Sequence, residues 1–336
     1  MSERLKMEPK TIALAFPGQG RQEAGIGMDV IGNPQFPQAN LLFRYGSQLL
    51  KDILNKDLDV ADICKNNPGE ILNIDSEIAQ PVLTLVYLTR YTAWKESHPQ
   101  EPEPDVITAH SLGKLAALVI ANSITFKQAL ELSAFRGKYT KSAAQGNPGT
   151  MGYLIDMEEL ILEEVCQKVR QNRPCEFVGI SSINGPRELV ISGTTSAVQE
   201  ALDTAANLPV GNARRVGPLP IPYPSHSPLM EEAKQAFGTI IQLAKIKPPE
   251  TTLVFNGRII KPQDGQLALT AIRSILSGEL TQKVSWPQTD SVLRDPKIGV
   301  GKLTEIGAQP TKYGTLAKFT AQINANQEYQ IETIHF

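Results

Sequence analysis

Ser111 stands in the run A-H-S-L-G (109–113), behind Asp-Val-Ile-Thr (105–108) and ahead of Lys114-Leu-Ala-Ala-Leu-Val-Ile-Ala. A short apolar strand, a tight turn and a helix in that order lift a serine out of the sheet. Its Oγ is then exposed, and the next backbone N–H groups point to where an oxyanion would form. Ser111 is therefore a candidate nucleophile. The general pattern is G-x-S-x-G; Ala109 takes the first glycine position and Gly113 keeps the second. The same five residues also describe an ordinary strand-to-helix turn, so the assignment depends on finding a base.

A serine hydroxyl attacks poorly until a neighbour takes its proton, and histidine is the usual base near neutral pH. The sequence offers four. His98 lies in a Pro/Glu segment and His335 is the penultimate residue, so both are expected in solvent. His110 adjoins Ser111, but neighbours on a strand-turn project in different directions. His226 remains, in a proline-flanked loop of small residues ahead of a helix, where an imidazole can be held rigidly. A purely structural loop histidine is the competing reading.

The flanking segments must position these groups. Thr11–Phe16 (TIALAF) reads as a strand running into Pro17-Gly18-Gln19-Gly20, whose glycines allow close backbone approach. Helical spacing covers residues 36–66, and a long helix is expected from Asn73 to Lys95, with Gln80 before Pro81 at a bend or in the first turn. The Pro-rich stretch 98–104 leads into the strand before Ser111, as in a βαβ unit. Thr125-Phe-Lys-Gln128 has the form of a capping box opening a second helix, which ends near Gly146-Asn-Pro-Gly149. The order then becomes strand 150–155, helix 158–170, strands 176–183 and 188–192, helix 196–206 and strand 212–216. That is the β-α-β-β-α-β order of a ferredoxin-like module. Beyond it, strands are expected at 252–255 and 301–306, with helices from Pro228, at 267–276, near Ser291 and at 311–319. The fold class expected is α/β: a large α/β-hydrolase-like domain with a parallel sheet core (1–148 and 218–336) and an inserted ferredoxin-like subdomain (149–217).

The 336 residues, 41% hydrophobic, can bury a substantial core. The net charge of −2 offers no general attraction to nucleic acid. The first ten residues lack a signal-peptide apolar run and no stretch has membrane-spanning character, so a cytoplasmic protein is expected, with no membrane partner. Cys64, Cys166 and Cys175 are odd in number and lack metal-type spacing, which favours free buried thiols and no metal.

Six motifs occur in order: F-P-G-Q-G (16–20), I-A-Q-P-V-L (78–83), H-S-L-G (110–113), R-G-K-Y (136–139), P-S-H-S-P-L-M (224–230) and E-I-G-A (305–308). Together they resemble the malonyl-CoA:acyl-carrier-protein transacylase family and the related acyltransferase domains of polyketide synthases, over roughly Ile12 to Leu316. The resemblance implies that Ser111 is acylated by a coenzyme A thioester and that His226 is general base, then acid toward the departing thiol. It implies that a backbone carbonyl orients the histidine, with Gln282 in the matching place. It assigns the oxyanion hole to the N–H groups of Gln19 and Leu112. Arg136 matches the arginine that grips the free carboxylate of malonyl, and without the resemblance it would read as an exposed helix cation. Gln80, His110, Thr140 and Tyr223 are expected beside the acyl group.

The implied reaction needs no metal or redox cofactor. Its partners are malonyl-CoA or a related acyl-CoA and an acyl carrier protein, with Arg214 and Arg215 the basic run expected to dock the carrier, aided by Lys138 and Lys141. Departures are Ala109 for glycine, Lys114 for the glutamate that commonly follows H-S-L-G, Arg21 for a small residue, Thr140 for a larger apolar residue, and Tyr223 opening Y-P-S-H. Other readings are a discrete acyltransferase or acyl-thioester hydrolase serving a polyketide assembly line, and a non-catalytic docking protein with a decayed site. The sequence leaves the oligomeric state open, with a monomer as the expectation.

Overall fold

A computed structural model describes residues 11–20, 22–208, 214–215, 217–307, 315–325 and 331–336. In chain order, β1 (Thr11–Phe16) is followed by α1 (Pro37–Leu54), α2 (Val60–Asn66), α3 (Ile71–Ile74) and α4 (Ser76–Ser97). Then come β2 (Val106–Ala109), α5 (Gly113–Ile120), α6 (Phe126–Gly146), β3 (Gly149–Ile155), α7 (Glu159–Asn172), β4 (Val178–Gly185), β5 (Glu188–Thr194), α8 (Thr195–Ala206) and β6 (Arg214–Arg215). The last part holds α9 (Glu231–Leu243), β7 (Thr252–Phe255), β8 (Arg258–Ile260), α10 (Gln266–Gly278), β9 (Val284–Ser285), α11 (Trp286–Arg294), β10 (Val300–Glu305), α12 (Leu316–Asn324) and β11 (Glu332–His335).

Two sheets result. The first has the order β11-β10-β1-β2-β7-β8 and is parallel except for β8, which returns antiparallel on β7. Both faces of a parallel sheet must be covered. Alternate residues of its strands accordingly enter two cores: Leu14, Phe16, Ile107, Ala109 and Leu253 pack with α4, α5, α6 and α9 on one face. Ala13, Ala15, Val106 and Val254 pack with α11 and α12 on the other.

The second sheet has the order β6-β3-β5-β4-β9. Along the chain its elements follow as β3, α7, β4, β5, α8 and β6. β9 adds a parallel strand to β4 at Ser182 and Ile183, tying the later chain to this sheet. Leu154, Leu189 and Ile191 face α7 and α8. Met151, Tyr153 and Val190, one residue out of phase, face the other way against Ile221 and Tyr223.

Several boundaries differ from expectation. Asp75 caps α4 by accepting from the Glu77 N–H, so the helix starts at Ser76 and not at Asn73. Pro81 lies inside α4, and Gln80 is buried in the helix body. The last helix begins at Leu316, capped by Thr315, and residues 311–314 lie outside the described ones, as do Arg21, Ala308 and residues 212, 213 and 216 of the expected strand. Thr125 and Gln128 do form the capping box on α6. Cys64 and Cys166 are buried free thiols, but Cys175 is exposed, since it falls in the turn between α7 and β4. Among the described residues no helix is long and apolar enough to cross a membrane.

Candidate active site

β2 ends at Ala109, in register with Phe16 of β1, and the chain turns at once into α5. The extra methyl of Ala109 leaves that pairing regular. Ser111 takes φ +44°, a left-handed conformation costly for a residue with a Cβ. Gly113 is required: a Cβ there would lie 2.5 Å from the carbonyl oxygens of Phe16 and Pro17. The Pro17–Gly20 loop thus rests on the elbow, where a Cβ on Gly18 would reach His110 Nδ1 at 2.9 Å. Leu112 precedes the first turn of α5, so its N–H has no carbonyl four residues back within that helix.

His226, in the loop before α9, also has positive φ, +59°. Its Nε2 lies 2.9 Å from Ser111 Oγ. Its Nδ1 is 2.6 Å from the backbone carbonyl oxygen of Glu279. A carbonyl only accepts, so Nδ1 carries the proton and Nε2 keeps a lone pair toward the serine. Burial lowers the His226 pKa to about 4; the Arg136 and Lys114 charges push the same way, and Glu279 opposes them. The imidazole is therefore neutral at pH 7.

The carbonyl belongs to Glu279, which corrects the expectation for Gln282. α10 ends at Gly278, and the free carbonyls of a helix end fall there and on the next residue. Gln282 is exposed, three residues further on. The same Glu279 has a second task that the sequence did not suggest. Its Oε1 accepts from Arg136 Nε at 2.9 Å and its Oε2 from Lys114 Nζ at 2.8 Å, with all three side chains buried. Burial alone would raise the Glu279 pKa, but Lys114 and Arg136 outweigh it and hold the carboxylate ionised.

Arg136 is not an exposed helix cation. Its Nη1 donates to Gln80 Oε1 at 2.9 Å and its Nη2 to Ser111 Oγ at 3.0 Å. Gln80 therefore reaches the site through Arg136 and is not itself on the cavity wall. That wall is formed by Gln19, Gly20, His110, Ser111, Arg136, Tyr223 and His226 on one side. Met151, Tyr153, Ser182, Asn184 and Val190 of the smaller sheet face them. Tyr223 accepts from Gln19 Nε2 at 2.6 Å and donates to the Asn73 carbonyl.

His110 Nε2 is 3.1 Å from Ser182 Oγ, and burial, then Lys114, lowers its pKa to about 3. His110 thus faces the cavity but not Ser111 Oγ. Thr140 departs from expectation: it is one turn beyond Arg136, wholly buried, and outside the cavity wall. The wall from β3, β4 and β5 was missed in the sequence, although the period-two alternation of Met151, Tyr153 and Ile155 carries its signal.

Arg214 and Arg215 form β6, paired with Ile155 and Leu154 at the edge of the second sheet. Their side chains lie outside the described residues. Lys141 is held by Asp75 at 2.7 Å, whereas Lys138 is exposed. Among the described residues no group of His, Cys, Asp or Glu is arranged to hold a metal ion.

The sequence matches the acyl transferase domain family over residues 14–271. It is 29% identical over 316 residues to the malonyl CoA-acyl carrier protein transacylase of Haemophilus influenzae, covering 94% of each chain. The structure resembles the malonyl CoA-acyl carrier protein transacylase of Coxiella burnetii with a TM-score of 0.78 and 26% identity, over 97% of this chain and 94% of that one. It also resembles, with a TM-score of 0.78 and 27% identity over 97% and 96% of the two chains, a malonyl-transacylase solved in complex with a type II PKS acyl-carrier protein.

Proposed function

The chain belongs to the acyl transferase domain family, and from that premise we propose that it moves a malonyl group from coenzyme A to the phosphopantetheine thiol of an acyl carrier protein. The observation that carries this reading is the alignment of Ser111 Oγ between His226 Nε2 and Arg136 Nη2, at 2.9 and 3.0 Å. A nucleophile, its base and a carboxylate-binding cation then meet at one atom. The names of the relatives support the donor and the acceptor.

Ser111 Oγ attacks the thioester carbonyl while His226 Nε2 takes the hydroxyl proton. The carbonyl oxygen becomes an oxyanion, whose stabilisation is assigned to the N–H groups of Gln19 and Leu112. Collapse breaks the carbon–sulfur bond, and His226 returns the proton to the departing sulfur, leaving malonyl-Ser111 and free coenzyme A. The carrier thiol then repeats the steps in reverse order: His226 takes its proton, the sulfur attacks the ester, and Ser111 Oγ recovers a proton. Arg136 binds the free carboxylate of the acyl group with its remaining N–H groups. Arg214 and Arg215 contribute to the surface that receives the carrier.

The test is intact-mass spectrometry of the protein after incubation with malonyl-CoA. One malonyl adduct should form on Ser111 and disappear on addition of a holo acyl carrier protein, with malonyl appearing on the carrier. An adduct lost equally fast without carrier would instead identify a hydrolase.

A further inference from the structure

We propose that Lys114 and Glu279 are a positioning pair for Arg136 that sets the preference of the site for an acyl group bearing a free carboxylate. This rests on the reading of Arg136 as the partner of that carboxylate. Lys114 is 1% exposed, in the first turn of α5, where the resembled family commonly has glutamate. A buried cation there needs an anion, and Glu279 supplies it from the end of α10. The same carboxylate bonds Arg136, so two cations share one anion and the cluster keeps a net charge of +1.

The sharing also fixes geometry. A carboxylate facing a guanidinium alone tends to take two of its N–H groups in a fork. Here Lys114 occupies Oε2, which restricts Glu279 to a single bond on Arg136 Nε. Gln80 and Ser111 each take one further N–H, which leaves two of the five in a guanidinium for the acyl carboxylate. Without Lys114, Glu279 would balance the charge of Arg136 and be free to draw the guanidinium away from Gln80 and Ser111.

The experiment compares wild type, Lys114→Met, and the double variant Lys114→Met with Glu279→Gln. Initial rates of Ser111 adduct formation from malonyl-CoA and from acetyl-CoA are read by intact mass, alongside thermal melts. Neither variant holds a buried anion without a cation. Lys114→Met should lower the malonyl-to-acetyl rate ratio tenfold or more. The double variant, again with +1 around Arg136, should return it to within threefold of wild type. A pair serving stability alone would change both rates together and leave the ratio in place.

An unchanged ratio in Lys114→Met overturns the proposal. So does a double variant that melts like wild type yet keeps a ratio tenfold low, and that comparison stands even where the single variant fails to fold. Wild type acylated equally by both thioesters overturns the proposal and leaves acyl transfer standing. Wild type acylated by neither overturns the proposed function, and the proposal with it.

Discussion

The guanidinium of Arg136 donates to Ser111 Oγ across 3.0 Å. The cation assigned to the acyl carboxylate therefore touches the nucleophile before any substrate arrives. Removing it should have unequal effects. With Arg136→Ala a malonyl carboxylate would be buried without its cation, which costs about 3–5 kcal/mol, or roughly 10²-fold to nearly 10⁴-fold in loading. An acetyl group loses only the hydrogen bond to Ser111, about 1 kcal/mol or roughly fivefold. Glu279 keeps Lys114, so no orphaned anion is left in the fold. Parallel loss of malonyl and acetyl loading in the adduct assay would contradict this role.

Ser111→Ala should abolish the adduct while leaving the melting temperature within a few degrees of wild type, because only one oxygen is removed from a turn held by Gly113 and the backbone. Any full adduct on that variant, seen by intact mass, would point to a different nucleophile.

The pH dependence follows from the surroundings of His226. Burial lowers its pKa to about 4, with Arg136 and Lys114 adding to the effect, Glu279 opposing it, and His110 buried nearby with a pKa of about 3. A base must be unprotonated, so kcat/KM for acylation should fall only on the acid side, with a limb near pH 4. A bound malonyl carboxylate cancels the Arg136 charge and so raises the histidine pKa. The acid limb of kcat with malonyl-CoA should therefore lie at higher pH than that of kcat/KM, and the separation should vanish with acetyl-CoA. His226→Ala should lose about 10²-fold to 10⁴-fold in rate, the usual contribution of a general base.

The elbow was legible because strand, turn and helix leave local marks: the apolar Val106 and Ile107 ahead of the turn, Ser111, and a glycine where helix and strand backbones nearly touch. The capping box at Thr125 and Gln128 was legible for the same reason. The partner of His226 was not. Any residue offers a carbonyl, so side-chain identity is silent on which one points at the imidazole, and the expectation fell on Gln282 instead of Glu279. The Lys114–Glu279 bond was hidden in another way: it joins positions 165 apart, which no local spacing links. Thr140 was expected on the resemblance alone, and one turn beyond Arg136 it is buried off the cavity wall.

Gly113→Ala should cost both stability and activity. Its Cβ would meet two backbone carbonyl oxygens at 2.5 Å, and backbone cannot swing aside as a side chain can. The added atom forces α5 away from the Pro17–Gly20 loop, separating Gln19 from Leu112. Thermal unfolding should show a loss of about 1–3 kcal/mol, the range for overpacking. Ser111 loading should fall further than that loss of folded protein accounts for. A variant with wild-type melting and loading would show that the elbow tolerates a wider gap than the contact distances imply.

The carrier must bring its pantetheine arm to the cavity between the two sheets, and β6 is the edge strand of the smaller one. Reversal of Arg214 and Arg215 to Glu tests whether that edge receives the partner. An acidic carrier would meet repulsion in place of attraction, so transfer from malonyl-Ser111 to the carrier should slow several-fold or more at low salt, and the loss of rate on adding salt should weaken. Formation of the Ser111 adduct from malonyl-CoA needs no protein partner and should change far less. Lys138, exposed on the Arg136 helix, should act in the same sense, whereas Lys141, already paired with Asp75, should add little when changed to Glu. Equal slowing of both half-reactions, or an unaltered KM for the carrier, would direct the search to another face of the cavity mouth.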